Sequence, residues 1–146
     1  MLRSVLVPID LSRDAVLDNL LSAALDYAGR HDAAIHLLMV IPALDSMPLP
    51  HVDDHTIDRV VDDAPQRLEQ VGTERIGKAH EWRADAITGR VASSIIRTAD
   101  ERAVALIVMT SHNPLFSAVF FGSVAAKVVR NANRSVRTVR QPKKPS

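Results

Sequence analysis

The chain of 146 residues contains no cysteine. That excludes disulfides, a thiolate nucleophile and any zinc site built on thiolates. It has no apolar run near the roughly 20 residues a membrane span needs. The amino-terminal apolar run, Val5 to Ile9, is five residues long, too short for a signal-peptide core, so the expected location is the cytoplasm. No G-x-S-x-G elbow surrounds Ser93 or Ser94, and no hydrolase triad is evident. Internal repeats are absent too, and the one biased segment is the basic tail at 141–146. The last missing feature is acid in the final third. Residues 1–101 hold 17 acids against 10 basic residues, a balance of −7, whereas residues 102–146 hold 8 basic residues and no acid. Such segregation marks an anion site, a nucleic-acid surface, an oligomer contact or simply a solvated basic helix and tail.

Apolar residues make up 47% and charged residues 24%, ordinary values for a globular domain. The length suits one domain, expected over residues 1–140 with the basic tail beyond it. Ser4 to Ile9 is an apolar, β-branched run of the kind buried in a parallel sheet. Asp10-Leu11-Ser12 then reads as a strand-to-helix turn, with Ser12 placed to cap. Leu17, Leu20, Leu21, Ala24, Leu25 and Ala28 recur at helical spacing and predict a helix ending near Gly29. Ala34 to Ile41 predicts a second buried strand, stopped by Pro42. A proline-rich loop at 42–55 leads to a helix over Ile57 to Val71, which Pro65 should kink or restart.

Glu81 to Ile87 alternates, with Trp82, Ala84 and Ala86 on one face and Glu81, Arg83 and Asp85 on the other. That is the pattern of a half-exposed strand at a sheet edge, with Trp82 packing rather than recognising a ligand. Val91 to Arg102 predicts a third helix and Ala103 to Met109 a fourth strand. A loop at 110–121, a helix opened by Gly122-Ser123 and a last strand over Ser135 to Arg140 complete the chain. The alternation implies an α/β fold: a single doubly wound five-stranded parallel sheet with helices on both faces. Ligands of such folds sit beyond the carboxyl ends of the strands, where the strand order reverses. Gly122-Ser123 therefore stands out, because the amide groups opening a helix point at anions and a glycine lets a phosphate approach. Lys127 and Arg130 add positive charge within two turns. A plain helix cap is the other reading of the same pair.

VLVPID, HLLMVIP, and LIVMTSHNP followed by FFGSVAAKVVRNANRSVRTVR together resemble the universal stress protein family over roughly residues 3–140. The loop resembles that of the small enterobacterial-type subgroup. The nucleotide-binding branch of the family carries G-x2-G-x9-G-[ST] after its fourth strand. Gly122-Ser123 matches its last element, Thr110 and Asn113 stand where the first two glycines would be, and the spacing is one residue short. Thr110 cannot take positive φ cheaply, whereas Asn113 tolerates it.

The resemblance implies a Rossmann-like fold of the adenine-nucleotide-binding type and a site for ATP, with Mg²⁺ possible. Pro8, Ile9 and Asp10 would stand at the first strand's end, Asp10 near ribose and adenine, and the Val40 backbone would bond the adenine edge. Met109 and Thr110 would line the ribose, while Ser111, His112 and Asn113 wrap the phosphates. Gly122, Ser123 and Val124 would bind phosphates through their amides and the Ser123 hydroxyl. Asp10 also has a simpler reading, as a helix-entry cap. The resemblance further implies a homodimer through the last strand, Val136 to Arg140, although Arg137 and Thr138 make that edge more polar than the family's apolar pattern. Nucleic acid and membrane insertion are not expected, and a regulatory protein partner is.

Three functions stay open: an ATP-binding regulatory dimer in the stress response, a slow ATPase or autokinase, and a nucleotide-free interaction dimer. A phosphorylated receiver domain is excluded, because no acceptor Asp ends the third strand. The HVDDH run at 51–55 has the i,i+4 histidine spacing of a zinc helix, but a solvated acidic loop explains it.

Overall fold

The computed structural model describes residues 3–10, 14–42, 54–111 and 123–140. Five strands and four helices alternate: β1 (Ser4–Pro8), α1 (Asp14–His31), β2 (Ala34–Pro42), α2 (Asp54–Arg75), β3 (Trp82–Gly89), α3 (Val91–Glu101), β4 (Leu106–Thr110), α4 (Ser123–Asn131) and β5 (Ser135–Val139). All strand pairs are parallel and the order is β3-β2-β1-β4-β5. The strand order therefore reverses between β1 and β4. Ser12 and the segments 43–53, 112–122 and 141–146, which hold the expected helix cap, most of the proline-rich loop and the basic tail, lie outside the described residues.

Successive strand residues point to opposite faces, and here both faces are apolar. Val5, Val7, Ile35, Leu37 and Val108 meet Leu17, Leu20, Leu21 and Ala24 of α1 and Leu68 of α2. Leu6, Leu38, Ile107 and Met109 meet Ile95 and Ala99 of α3 and Ala125 and Val128 of α4. Helices α1 and α2 thus cover one face and α3 and α4 the other, the doubly wound arrangement that right-handed crossovers impose.

Several boundaries differ from the sequence reading. Helix α1 runs past Gly29 to His31, and Asp32, at φ 51°, takes the left-handed position that ends it. The Ala33 amide donates to the Ala28 carbonyl at 3.1 Å, closing the helix in a Schellman turn. Ala103 repeats this after α3, at φ 50°, with the Val104 amide donating to the Ala99 carbonyl at 3.1 Å. The fourth strand consequently starts at Leu106, not at Ala103. Helix α2 starts three residues earlier than its apolar pattern suggests and continues through Pro65 and Gly72 to Arg75. Buried Ala64 and Leu68 flank Pro65, so tertiary packing outweighs the hydrogen bond that proline removes.

Gly72 is required by a close approach. A Cβ built there would collide with Cζ3 of the Trp82 indole. The indole is itself held, its Nε1–H donating to the Gly77 carbonyl at 3.1 Å. Trp82 is thus the packing residue of edge strand β3. Gly72→Ala is expected to cost about 1–3 kcal/mol by overpacking, despite alanine's better helix propensity. Urea unfolding with Trp82 fluorescence measures this, and an unchanged midpoint would show that the indole can shift freely.

Candidate functional site

The switch point opens because β1 and β4 part company. Strand β1 stays in register with β2 up to Pro8↔Leu38, and β4 with β5 up to Thr110↔Val139. Between β1 and β4, pairing covers only Val5↔Leu106 and Leu6↔Ile107. The Ile9 amide donates to the Leu38 carbonyl at 2.8 Å, so odd positions of β1 address β2 and even positions address β4. Pro8 therefore falls on the β4 side, where it has no N–H to give. The sequence thus places a non-donor just past the last paired position of β1 and β4.

The ends of these strands bring predicted residues together. Pro8, Ile9 and Asp10 follow one another out of β1, with Ile9 buried, Pro8 half-buried and Asp10 exposed. Continuing the β1–β2 register sets Asp10 level with Val40. Met109 and Thr110 end β4 beside them, Met109 buried in the α3–α4 core and Thr110 half-buried. Ser111 is buried at 6% exposure and belongs to the sheet: its amide and its hydroxyl both donate to the Val139 carbonyl, at 3.0 and 3.4 Å. Ser123, exposed, and Val124, half-buried, open α4. The first turn of α4 carries no acid, so nothing there cancels the positive end of the helix dipole. His112, Asn113 and Gly122 lie outside the described residues.

The first turn of α4 presents helix-start amides suited to an anion, and Asp10 stands exposed just beyond β1. Among the described residues no three His, Asp or Glu side chains gather as metal ligands. No described helix is long and apolar enough to cross a membrane.

A second polar cluster, at the opposite end of the sheet, was not expected. His36 is buried at 3% exposure, and its Nε2 lies 2.7 Å from Oδ2 of Asp85 on β3. Arg83 reaches the same oxygen at 3.2 Å. Burial pushes the His36 imidazole below its usual 6.5; Asp85 opposes this through its bond and charge, and Arg83 and Arg102 add to it. The sequence signal was a lone His inside an apolar strand, two positions out of register with an Asp on its neighbour.

This shift sets a pH dependence. The unfolded chain takes up the proton at a higher pH than the folded one, so His36 favours the native state fully above 6.5. That contribution is lost as pH falls below 6.5 towards the folded value. Urea unfolding at pH 8 and at successively lower pH should show this decline, and it should flatten in His36→Gln.

Comparison with known proteins agrees with this fold. The model for the universal stress protein family matches residues 1–140. Universal stress protein G of Shigella flexneri is 26% identical over 143 residues, 96% of this chain and all of that one. Among solved structures, the protein MJ0577 superposes with a TM-score of 0.81 at 19% identity, over 99% of both chains. The universal stress protein of Archaeoglobus fulgidus, solved in complex with dAMP, gives 0.66 at 20% identity, over 92% of this chain and 94% of that one.

Proposed function

The chain belongs to the universal stress protein family, and from that premise we propose that it binds an adenine nucleotide, ATP with Mg²⁺, between the carboxyl ends of β1 and β4. The carrying observation is the early end of β1–β4 pairing at Leu6↔Ile107, at the point where the strand order reverses, with Asp10 just beyond β1 and α4 following β4. The dAMP complex of the Archaeoglobus fulgidus relative supports the adenine class. Phosphates would sit on the α4 amides and the Ser123 hydroxyl, neutralised by the dipole and by Lys127 and Arg130. Asp10 would accept from the ribose, with Val40, Met109 and Thr110 around the nucleoside. His112, Asn113 and Gly122 complete this reading from the sequence.

Within the same proposal the protein is a dimeric module that acts on a regulatory protein partner. Strand β5 is an edge, with Val136, Thr138 and Val139 half-buried in the single chain, Arg137 exposed and Arg140 just beyond the strand. An edge of this kind offers unpaired backbone groups to a second copy. Sedimentation of the purified chain tests the dimer.

Calorimetric titration with ATP and Mg²⁺, repeated with GTP, tests the nucleotide. Saturable binding of ATP well above GTP is expected. Asp10→Ala is expected to weaken it by about 1–2 kcal/mol through a lost hydrogen bond to a charged acceptor. The second reading is an interaction dimer without nucleotide, and the Ser111 hydroxyl favours it, being already engaged with the Val139 carbonyl. No binding at millimolar ATP would overturn the nucleotide proposal and favour that second reading.

A further inference from the structure

The amino ends of β1, β2 and β3 form a cleft of about 320 Å³ lined by Ser4, Ala34, His36, Glu81, Arg83 and Arg102 among others. It lies at the end of the sheet opposite the nucleotide crevice. Its charges are unevenly used. The Asp85 carboxylate is shared by His36 at 2.7 Å and by Arg83 at 3.2 Å. Arg102, just past α3, is in no ion pair among the described residues. Arg102 caps the helix through its backbone alone, its amide bonding the Thr98 carbonyl while the Val104 amide bonds that of Ala99, so its guanidinium is not required there. A buried imidazole thus stands in a cleft beside one guanidinium committed to Asp85 and one that is not.

We propose that this cleft is a second binding site, for a small oxyanion (a carboxylate or a phosphate) held by Arg102 and Arg83 next to His36. A guanidinium matches a planar or tetrahedral oxyanion through paired N–H donors, which an ammonium does not do. The cleft volume lies at the lower end for small-molecule sites and suits a metabolite-sized anion, not a nucleotide. Glu81 on the same wall opposes a negative ligand and limits the charge the site accepts.

The site has a built-in link to protons. Arg83 and Arg102 both disfavour the protonated form of His36. An anion that offsets their charge makes protonation easier, and by reciprocity the anion binds more tightly once His36 is protonated.

The test is nuclear magnetic resonance of the isotope-labelled full chain, titrated at constant ionic strength with inorganic phosphate and separately with acetate or succinate. Saturable shifts are expected at His36, Arg83 and Arg102, with the His36 imidazole titrating at higher pH when the probe is bound. Arg102→Gln should weaken binding roughly tenfold and Glu81→Gln should strengthen it, opposite effects that general destabilisation would not produce. Saturation by phosphate alone assigns a phosphate ligand, and saturation by the carboxylates assigns a carboxylate. Shifts that grow linearly without saturation, or that persist unchanged in Arg102→Gln, overturn the proposal. Resonances of Thr110 and Ser123 report the nucleotide crevice independently, so each site stands or falls by itself.

Discussion

Ser123→Asp is expected to abolish ATP binding while leaving the fold as stable as before or slightly more so. Ser123 is the exposed first residue of α4, where the unsatisfied amides and the helix dipole create positive potential. A carboxylate there favours the helix by about 0.3–1 kcal/mol. The same carboxylate occupies the position proposed for the nucleotide phosphates and repels them. A loss on the order of a hundredfold or more in affinity follows, from one removed donor and one added like charge at close range. Calorimetry with ATP reads the binding and urea unfolding reads the stability. The opposite signs are what make the result specific. Retained ATP binding in Ser123→Asp would place the phosphates elsewhere, and a lower unfolding free energy would show that Ser123 has a structural duty that aspartate cannot fill.

Ile107→Ala is expected to cost about 2–5 kcal/mol, the largest stability effect of those considered. Ile107 is fully buried at 0% exposure in the middle of β4, packed in the cluster with Leu6, Ile95, Ala99 and Val128. It is also one of the two β4 residues in register with β1, so the cavity would open beside the pairing that, among the described residues, joins the two halves of the sheet. A domain this size has roughly 5–15 kcal/mol in total, so the variant should unfold at markedly lower denaturant. Val129→Ala is the matching control: Val129 is 50% exposed on α4, and its loss should change stability by less than about 0.5 kcal/mol. If the two variants unfold at the same midpoint, the core does not lie where the sheet puts it.

The two halves of that sheet were unequally legible. Apolar runs in β1, β2 and β4 announced buried parallel strands, since a strand covered on both faces has no polar side to alternate. Trp82, Ala84 and Ala86 announced an edge strand through their alternation, and β3 is one. Helix ends were less legible. Gly29 drew the end of α1 because glycine usually takes the left-handed position, yet nothing crowds Gly29 and Asp32 makes the turn. Pro65 suggests a kink or a restart within α2 because the cost of a proline is local, whereas the burial of Ala64 and Leu68 that carries the helix through it is not.

The candidate site divides the same way. Gly122-Ser123 and Asp10 were singled out because a helix start and a strand end carry their chemistry in neighbouring residues. His36 was not, because its partner Asp85 is 49 residues away and only strand register brings the two to 2.7 Å. Arg102 joined them only because α3 ends over the start of β2.

The sequence by itself determined the fold class, since the periodicity of apolar side chains is a local property that both neighbouring elements must satisfy. It also determined where anions and phosphates would be sought, since helix starts and glycines act through adjacent backbone. Only the packed fold decides where β1 and β4 separate, which oxygen of Asp85 binds His36, and that Arg102 shares a cleft with His36. Those outcomes depend on register between distant segments, and register is fixed by packing summed over the whole sheet.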